Sequence, residues 1–507
     1  MNHISNGDDM KEQTLWTNSI PKLKTKKCPK HLEIETLIIG GGLAGISILF
    51  ELRHKKNQIA LIERDQIGFG VTARTTGKLT FMQELCYQKL EKIYDFDTAR
   101  LYYEANMDAI KQVKHNIDTN AIDCHFENTC AYVFTNDETK QKQFEKEFDF
   151  YQKLKIDVEM NVTLPFPTET IQVLKAQKNT GNAVFNPVQY LYALANIILE
   201  SGCHIYEHVG AKTITKKGDL YEVETSNGTI LAKNVIVATH YPFFLHPGWI
   251  PLRSHIEEAY VAAIPTLETT PDQAINNDKA TESYRYASGD KNYLLFASQT
   301  FKTSNHFDQE KMAQEVSDTV LQKFQKKEEY LWHTHDVMTN DSLPLIGPIN
   351  KSNPNLYIIT GFNKWGMTNS ITSSLIIRDY IMGQENKYMN LFLPSRKINF
   401  EKVKNFFLDN YQNTKSILKA KLVQNQTFYH NNVAVTYEDE IRIGIYQDKS
   451  GKLHKVKNTC PHMKCNLIFN ELDKTWDCPC HGSRFDIDGN VIEGPSSYDI
   501  KLKQDDD

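Results

Sequence analysis

The chain has 507 residues, of which 40% are hydrophobic and 24% are charged, and its formal net charge is −5. This composition excludes a disordered, collagen-like or membrane-spanning protein, and the lack of a basic excess argues against nucleic acid as a partner. A chain of this length predicts about three domains of ~150 residues each. Its N-terminus is polar and acidic, with no apolar segment after a basic start. We therefore expect no secretory signal, no transmembrane segment and a cytoplasmic location.

The first predicted elements are a strand, a glycine turn and a helix. Residues 1–33 include a basic stretch and are predicted to form an N-terminal arm, after which the apolar strand 34–39 begins. Residues 40–45, GGGLAG, fit the pattern G-x-G-x-x-G, and an apolar helical segment follows them. A second strand ends in Glu63, 18 positions after Gly45. This unit with its acidic residue is typical of dinucleotide-binding proteins.

Each residue of this motif has its own physical task. Gly40 permits the tight turn, Gly42 lets a pyrophosphate approach the backbone, and Gly45 lets the helix pack against the strand. Glu63 can accept hydrogen bonds from ribose hydroxyls, while the phosphates sit at the helix N-terminus, where free N–H groups favour anions. The alternative is a glycine-rich turn without a nucleotide. No second G-x-G-x-x-G is present in the sequence, which argues against a separate NAD(P)H-binding unit.

Further along the chain, helical and strand patterns alternate. Residues 88–115 and 138–155 have helical spacing and flank a predicted strand. Asn186 opens an apolar helix that ends at Gly202, and residues 354–384 repeat the order strand, glycine turn, helix. A polar stretch then leads into short strands and turns, as expected of a small β module.

Four of the nine cysteines crowd into 21 positions near the C-terminus. Cys460 and His462 form C-x-H, and Cys478 and His481 form C-x-x-H. Clustered cysteines in a large cytosolic chain indicate metal ligands before structural disulfides. Two cysteines and two histidines in two loops can hold zinc or a Rieske [2Fe–2S] cluster. A zinc site does not require the C-x-H pair, so the spacing favours the cluster.

Two further segments resemble a flavoprotein family. Residues 64–77, RDQIGFGVTARTTG, and residues 355–368, NLYIITGFNKWGMT, resemble two segments of the D-amino-acid oxidase and glycine oxidase superfamily. These are its second glycine-rich segment and its closing strand–turn–helix. The resemblance implies FAD as the cofactor. The residues that it implies as FAD contacts are Arg64, Thr72 and Arg74 beside the pyrophosphate and flavin, Val209 at the adenine, and Gly361, Gly366 and Met367 against the isoalloxazine.

The mode of flavin attachment is also predicted. Some relatives in that superfamily attach the flavin through a cysteine near the closing segment or a histidine near the second glycine-rich segment. Here no cysteine lies between Cys203 and Cys460, and residues 64–80 contain no histidine. We therefore expect FAD to be bound non-covalently.

The C-terminal cysteine motifs closely resemble the ligand loops of Rieske proteins. The two loops read CPHMKC at 460–465 and TWDCPCHGSRFD at 475–486, and a glycine–proline turn follows at 494–495. The ligands implied by this resemblance are Cys460 and Cys478 for one iron and His462 and His481 for the other.

The same resemblance extends to residues around the ligands. In the respiratory-complex subclass of Rieske proteins, the positions of Cys465 and Cys480 form a disulfide that clamps the two loops. We expect the same pairing here, and its oxidation state in a reducing cytosol stays open. Ser483 matches the family serine that donates a hydrogen bond to a bridging sulfide, whereas Phe485 replaces a tyrosine common in the high-potential subclass.

The whole chain therefore resembles bacterial FAD-dependent oxidoreductases of the D-amino-acid oxidase class with a C-terminal Rieske domain. The implied fold is an α/β FAD-binding body, Rossmann-like and of the two-domain glycine oxidase type, followed by an all-β Rieske domain. The predicted layout is an FAD-binding part at about 34–85, 186–250 and 336–394, a substrate domain at about 86–185 and 251–335, a connector at 395–424 and the Rieske domain at 425–507.

This resemblance predicts a dehydrogenase. A small-molecule substrate, an amine or amino acid, is expected to give a hydride to FAD, and the cluster is expected to pass the electrons singly to an external acceptor. Two alternatives stay open: electrons flow inward to reduce a substrate or partner, or the protein is a non-catalytic redox-sensing or interaction module. No catalytic acid or base is predicted.

Overall fold

The computed structural model describes residues 13–17, 23–166, 175–278, 281–302, 309–397, 428–430, 432–471 and 473–502. Nearly all of the predicted connector, and much of the predicted N-terminal arm, lie outside these residues. Among the described helices, none is both long enough and apolar enough to cross a membrane. The helices are α1 Leu43–Glu51, α2 Cys86–Ile93, α3 Phe96–Asn120, α4 Gln141–Lys153, α5 Pro187–Glu200, α6 Gln309–Phe324, α7 Gly366–Met382 and α8 Met389–Phe392.

The described strands form four sheets, two of them in the first four-fifths of the chain and two in the C-terminal region. The strands before the predicted connector are β1 His31–Ile39, β2 Ile59–Ile62, β3 Lys78–Leu79, β4 Glu127–Thr135, β5 Glu159–Met160, β6 Lys175–Val184, β7 His204–Tyr206, β8 Ala211–Lys217, β9 Leu220–Thr225, β10 Thr229–Val237, β11 Ser254–Thr266, β12 Gln273–Asn276, β13 Ser283–Ala287, β14 Asn292–Lys302, β15 Tyr330–Thr339, β16 Leu345–Asn350 and β17 Asn353–Thr360. The strands after it are β18 Phe428–His430, β19 Val433–Glu438, β20 Ile441–Gln447, β21 Leu453–Lys457, β22 Ile468–Asn470, β23 Thr475–Asp477, β24 Arg484–Phe485 and β25 Val491–Glu493.

The first sheet has the strand order β16-β17-β10-β1-β2-β7, with β8 and β9 attached beside β10. Its central strands β17, β10, β1, β2 and β7 run parallel. Strands buried on both faces read as continuous apolar runs, and residues 37–39 at the end of β1 fit this rule. Ile38 packs with the core that includes α1, α5 and α7, whereas Leu37 packs into a separate core on the other face. The predicted strand, glycine turn and helix are confirmed, and the strand begins at His31.

The second sheet has the order β15-β11-β14-β13-β12-β4-β6-β3. Side chains alternate along its long strand β11, so that Val261 faces the core shared with the first sheet. Tyr260 and Ala262 face a second core that also contains residues of α6. Both β3 and the last residues of β15, which the sequence layout places in the FAD-binding part, pair within this sheet.

The C-terminal region contains two antiparallel sheets, β18-β19-β20-β21 and β22-β23-β24-β25. Their shared core includes Trp476, whose side chain is fully buried. Gly444 of β20 lies under this ring, and a Cβ there would come within 2.6 Å of it. A side chain at this position would therefore displace the centre of the core. The predicted small all-β module is confirmed.

Two local predictions were incomplete. The helical spacing of residues 88–115 belongs to two helices, α2 and α3, because Asp95 caps α3 by accepting a hydrogen bond from the Thr98 amide. Part of the predicted arm is built into the fold, since Trp16 is 5% exposed and its indole N–H donates to the Thr75 carbonyl at 2.7 Å.

Candidate functional site

The glycine turn between β1 and α1 can be built only with glycine at its two ends. Gly40 has φ of +111°, and a Cβ there would lie 2.5 Å from the Ala238 carbonyl oxygen. A Cβ on Gly45 would lie 2.0 Å from the Gly40 carbonyl oxygen, inside any acceptable contact. Gly42 caps α1 without a side-chain hydrogen bond. The first turn of α1 therefore presents backbone amides of the kind that bind phosphate.

Glu63 follows β2 and lies beside this turn. Its carboxylate accepts hydrogen bonds from the Gly41 amide at 2.6 Å and the Asp65 amide at 2.9 Å. Burial raises the pKa of this carboxyl, and the two amides oppose that shift. Position and chemistry both fit the ribose-binding role predicted for Glu63.

A cavity of about 1580 Å³ runs along the glycine turn, the second glycine-rich segment and the closing segment. Thr72 accepts a hydrogen bond from the Leu43 amide at 3.0 Å, which holds the two glycine-rich segments together. Gly45 lies behind the wall, against Gly40. The predicted FAD contacts that line the cavity are Gly40, Gly42, Glu63, Arg64, Thr72, Arg74, Val209, Gly361, Gly366 and Met367.

This cavity fits FAD. Its lining includes Gly42 at the N-terminus of α1 and Gly366 at the start of α7. Just before α7 in the chain, Gly361 has φ of +75°, and a Cβ would lie 2.3 Å from the Thr339 methyl group, so the closing turn requires glycine. At the adenine end the Val209 amide already donates to the Glu63 carbonyl at 2.7 Å, which fixes the backbone there.

We expect acid precipitation of the holoprotein to release all of its yellow colour into the supernatant. Covalent attachment through a thioether requires a cysteine, and none of the described residues that line the cavity is a cysteine. Absorbance at the flavin bands of supernatant and washed pellet measures the outcome. Flavin that stays with the pellet would contradict non-covalent binding.

The four predicted cluster ligands come together in the C-terminal region. Cys460 and Cys478 are 1% and 2% exposed, and their thiols are hydrogen-bonded to each other. The rings of His462 and His481 lie 5.1 Å apart. Both ring nitrogens of His462 and Nδ1 of His481 are buried without a hydrogen-bond partner among the described residues. Two thiols and two unpartnered imidazoles converging in a buried site fit a [2Fe–2S] cluster.

The pKa shifts of the two histidines and of Cys460 suit metal binding, whereas the hydrogen bond to Cys460 and burial raise the pKa of the Cys478 thiol well above its usual range. Burial lowers the pKa of His462 to about 4 and that of His481 to about 3, so both imidazoles are neutral at physiological pH. The hydrogen bond from Cys478 lowers the pKa of the Cys460 thiol to about 7. Neutral imidazole and thiolate are the forms that ligate iron.

Cys465 and Cys480 are joined in a disulfide that links the two ligand loops. The sulfur atoms of Cys465, Cys478 and Cys480 lie within 4.8 Å of one another, which by distance alone suggests a three-thiolate site. Two of these sulfurs are consumed in the disulfide and cannot act as thiolates. Ligands of a two-iron cluster also divide between two metals, so they need not share one short radius. The predicted pairing is confirmed.

Ser483 supports the cluster site from one side. Its hydroxyl is hydrogen-bonded to the Cys460 sulfur and accepts from the Ser496 amide at 2.9 Å.

Ser483→Ala should lower the reduction potential of the cluster by about 40 mV. The lost hydrogen bond, worth ~1 kcal/mol, favours the more negative reduced state, and a one-electron couple shifts by ~59 mV for each tenfold change in the equilibrium constant. A redox titration followed by EPR measures this shift, with Ser450→Ala on an exposed turn as control. An unchanged or raised potential would contradict the tuning role.

The cluster loops lie against the wall of the FAD cavity. Tyr241, just after β10, has its ring 5.4 Å from that of His481 and 6.3 Å from that of His462. Tyr241 and His481 both line the cavity, as do Glu493 and Pro495 from the C-terminal region. The two candidate cofactor sites therefore share a wall.

A buried ion-pair network holds this wall together; we call Arg74, His335, Arg484 and Glu493 the interdomain latch. Glu493 lies 3.0 Å from Arg74, 3.3 Å from His335 and 4.0 Å from Arg484. Burial alone would raise the pKa of Glu493, but His335, Arg74 and Arg484 hold it well below its usual range. Arg64 adds a hydrogen bond to the Ile492 carbonyl at 2.8 Å. Two residues predicted to contact FAD thus have side chains that contact the C-terminal domain.

Sequence reasoning did not identify Tyr241 or Glu493. Tyr241 follows a strand without any motif, and Glu493 lies in a short strand near the chain end. Their roles depend on contacts with distant segments, and no local spacing marks such contacts. The charge of Glu493 among apolar neighbours in VIEGP was the one available signal.

Comparisons with known proteins agree with this geometry. A family model described as FAD dependent oxidoreductase matches residues 35–379, and one described as Rieske [2Fe-2S] domain matches residues 418–502. The chain is 34% identical to a putative Rieske 2Fe-2S iron-sulfur protein of Bacillus subtilis (strain 168), over 96% of this chain and 97% of that protein. It is 21% identical to the gamma-glutamylputrescine oxidoreductase of Escherichia coli (strain K12), over 71% of this chain and 86% of that protein. The glycine oxidase of Geobacillus kaustophilus has a similar fold, with a TM-score of 0.59 at 16% identity, over 73% of this chain and 100% of that chain.

Proposed function

Since the chain belongs to the FAD-dependent oxidoreductase family and carries a C-terminal Rieske [2Fe–2S] domain, we propose that it is a dehydrogenase of amines or amino acids. In this proposal the electrons leave the protein one at a time, through the Rieske domain, to an external acceptor. Bound FAD supplies two-electron oxidation of the substrate, and the cluster supplies one-electron transfer.

One observation carries the proposal: the cluster ligand His481 and the predicted flavin contacts line the same cavity. An oxidase that uses oxygen directly has no need of a cluster at this position. Tyr241, whose side chain is 3% exposed, packs in this wall beside the two predicted ligand histidines. Its ring therefore links the cavity wall to the predicted cluster site.

The chain's own residues hold and orient both groups in this proposal. The amides at the start of α1 and the carboxylate of Glu63 bind the dinucleotide, while Met367 and the closing turn at Gly361 bound the flavin end. The latch carboxylate of Glu493 holds the C-terminal domain against the second glycine-rich segment through its ion pair with Arg74. These roles are positional, and no proton transfer is assigned to them.

An anaerobic screen of amines and amino acids tests the function. A substrate should bleach the flavin absorbance and then produce the EPR signal of the reduced cluster. The matched control is Cys478→Ala, in which flavin bleaching should persist without an EPR signal.

Each result of the screen has a defined meaning. A bleached flavin with a fully oxidised cluster would contradict the outward route. Reduction of the cluster by an external donor, followed by flavin reduction without any amine, would support inward electron flow instead.

A further inference from the structure

Asp336 is a charged residue of the cavity wall that has no assigned role. It belongs to β15, on the face that packs toward the FAD-binding part of the molecule, and it lines the cavity. Among the described residues, neither of its carboxylate oxygens has a hydrogen-bond partner. Asp336 is half-buried in the wall of a partly open cavity, and a carboxylate there without a protein partner can accept charge-assisted hydrogen bonds from a cationic ligand.

The charged groups next to Asp336 are paired with Glu257 and not with Asp336 itself. Glu257 lies directly opposite Asp336 in the β11–β15 register, so the two carboxylates point to the same face. Lys364 is 3.0 Å from Glu257, and His255 is 3.3 Å from the other oxygen of Glu257. One lysine thus stands beside two carboxylates and is ion-paired with Glu257.

The position of Lys364 is fixed by the closing turn. Lys364 and Asn363 both have positive φ, +74° and +52°. The Asn363 amide donates to the Val337 carbonyl at 3.1 Å, and its side-chain oxygen accepts from the Thr339 amide at 2.7 Å. These bonds fix the backbone next to Lys364, whose ammonium group lies 3.0 Å from Glu257.

The pKa values of Asp336 and Glu257 indicate that both carboxyl groups are negatively charged at neutral pH. Burial raises the pKa of Asp336 to about 6, with Glu257 adding to the rise and Lys364 opposing it. Burial also acts to raise the pKa of Glu257, but the hydrogen bonds from His255 and Lys364 bring it to about 2. At neutral pH both carboxylates are ionised, and Lys364 acts on both of them. Lys89 interacts with Glu257 but does not contribute at Asp336, and Glu84 interacts with both lysines.

The cavity has apolar as well as polar lining, and its arginines are already engaged. Ile256, Phe362 and Met367 are among the apolar residues of that lining. The arginines that line the cavity are Arg74 and Arg484, both paired with Glu493, and Arg64, paired with Asp65. An alkyl chain with a positive end fits this wall better than a free carboxylate.

We propose that Asp336 binds the ammonium group of an alkylamine substrate and thereby selects cationic amines over carboxylates. The inference rests on the proposed function, because it takes the cavity as the place of substrate oxidation. It deepens that function by choosing between the two substrate classes, amine and amino acid.

Binding of n-butylamine and butyrate to the FAD-loaded, oxidised protein tests the inference. Anaerobic isothermal titration calorimetry should show n-butylamine binding at least about tenfold more tightly than butyrate, as expected for one charge-assisted hydrogen bond. Asp336→Asn should weaken n-butylamine binding by about tenfold or more and leave butyrate unchanged. Asp336→Glu, which keeps the charge, should retain most of the affinity for n-butylamine.

The control is Asp290→Asn, an identical change of charge at an exposed position, which should bind n-butylamine like the wild type. Equal n-butylamine affinities in the wild type and Asp336→Asn would overturn the inference, as would tighter binding of butyrate by the wild type. Flavin bleaching tests the proposed function separately. Bleaching by amines with unchanged binding in Asp336→Asn overturns only the inference, whereas weakened binding in that variant without bleaching by any amine overturns only the dehydrogenase function.

Discussion

Replacing Cys478 with alanine is expected to abolish the [2Fe–2S] EPR signal while FAD stays bound. Cys478 is 2% exposed, its thiol contacts Cys460, and no other free thiol among the described residues belongs to the core around the cluster site. His462→Ala should have the same effect, because it removes one of the two imidazoles. Dithionite reduction followed by EPR, with iron and acid-labile sulfide analysis, measures the cluster. Flavin absorbance measures FAD.

The flavin should survive because the two domains have separate hydrophobic cores. The core around Trp476 contains only C-terminal residues, whereas the cores around β1 contain only residues of the first part of the chain. Cys130→Ala is a matched control: it removes a partly buried thiol in β4, and the cluster should remain. A full EPR signal in Cys478→Ala would contradict the ligand assignment.

Removing the latch carboxylate is expected to uncouple the two domains. Glu493→Ala leaves Arg74, His335 and Arg484 without their shared partner in a buried interface, and breaking a buried ion pair from one side costs about 3–5 kcal/mol. The C-terminal domain should then unfold or separate at lower temperature. Cluster reduction after flavin reduction, followed by stopped-flow absorbance without oxygen, should slow by at least about tenfold.

The control for this prediction is Glu438→Ala, because Glu438 pairs with Lys455 at the surface, where both side chains are more than two-fifths exposed. Such exposed pairs contribute about 1 kcal/mol or less, so both stability and cluster reduction should match the wild type. A wild-type rate of cluster reduction in Glu493→Ala would show that the latch does not hold the domains in their reactive arrangement.

The latch also predicts the direction of a pH effect. Because its positive partners hold the pKa of Glu493 below its usual range, Glu493 stabilises the folded protein fully above the ordinary glutamate pKa of ~4.3. This contribution is lost as the pH falls from that value toward the lower pKa of the folded state. Glu493→Gln should therefore flatten the acid side of a thermal stability profile measured from pH 7 to pH 3.

The parts of the site that the sequence predicts are those whose chemistry is local. The glycines at 40 and 45 must be glycine because a Cβ at either would collide with nearby backbone, and such positions recur at fixed spacing. The four predicted cluster ligands lie in two short loops, and their Cys and His spacing is the local signal of such a site. In both cases a few consecutive residues carry the whole geometric requirement.

The remaining parts depend on pairing between distant segments. Glu493 and Arg74 are 419 positions apart, and they meet only because the C-terminal domain docks beside the second glycine-rich segment. Asp336 faces the cavity only through the register between β11 and β15, which a one-residue slip would reverse. Trp16, in a segment predicted as a surface arm, is buried for the same reason: its indole contacts Thr75 far along the chain.

The wall that Tyr241 forms with His481 also has a kinetic consequence. Both redox sites belong to one polypeptide, so each copy of the protein carries its own partner at a fixed separation, and the encounter between them is unimolecular. Dilution lowers the rate of electron transfer between two separate proteins, but it leaves the rate of this internal step unchanged. In the proposed dehydrogenase, the step after it that depends on collisions is the transfer of electrons to the external acceptor.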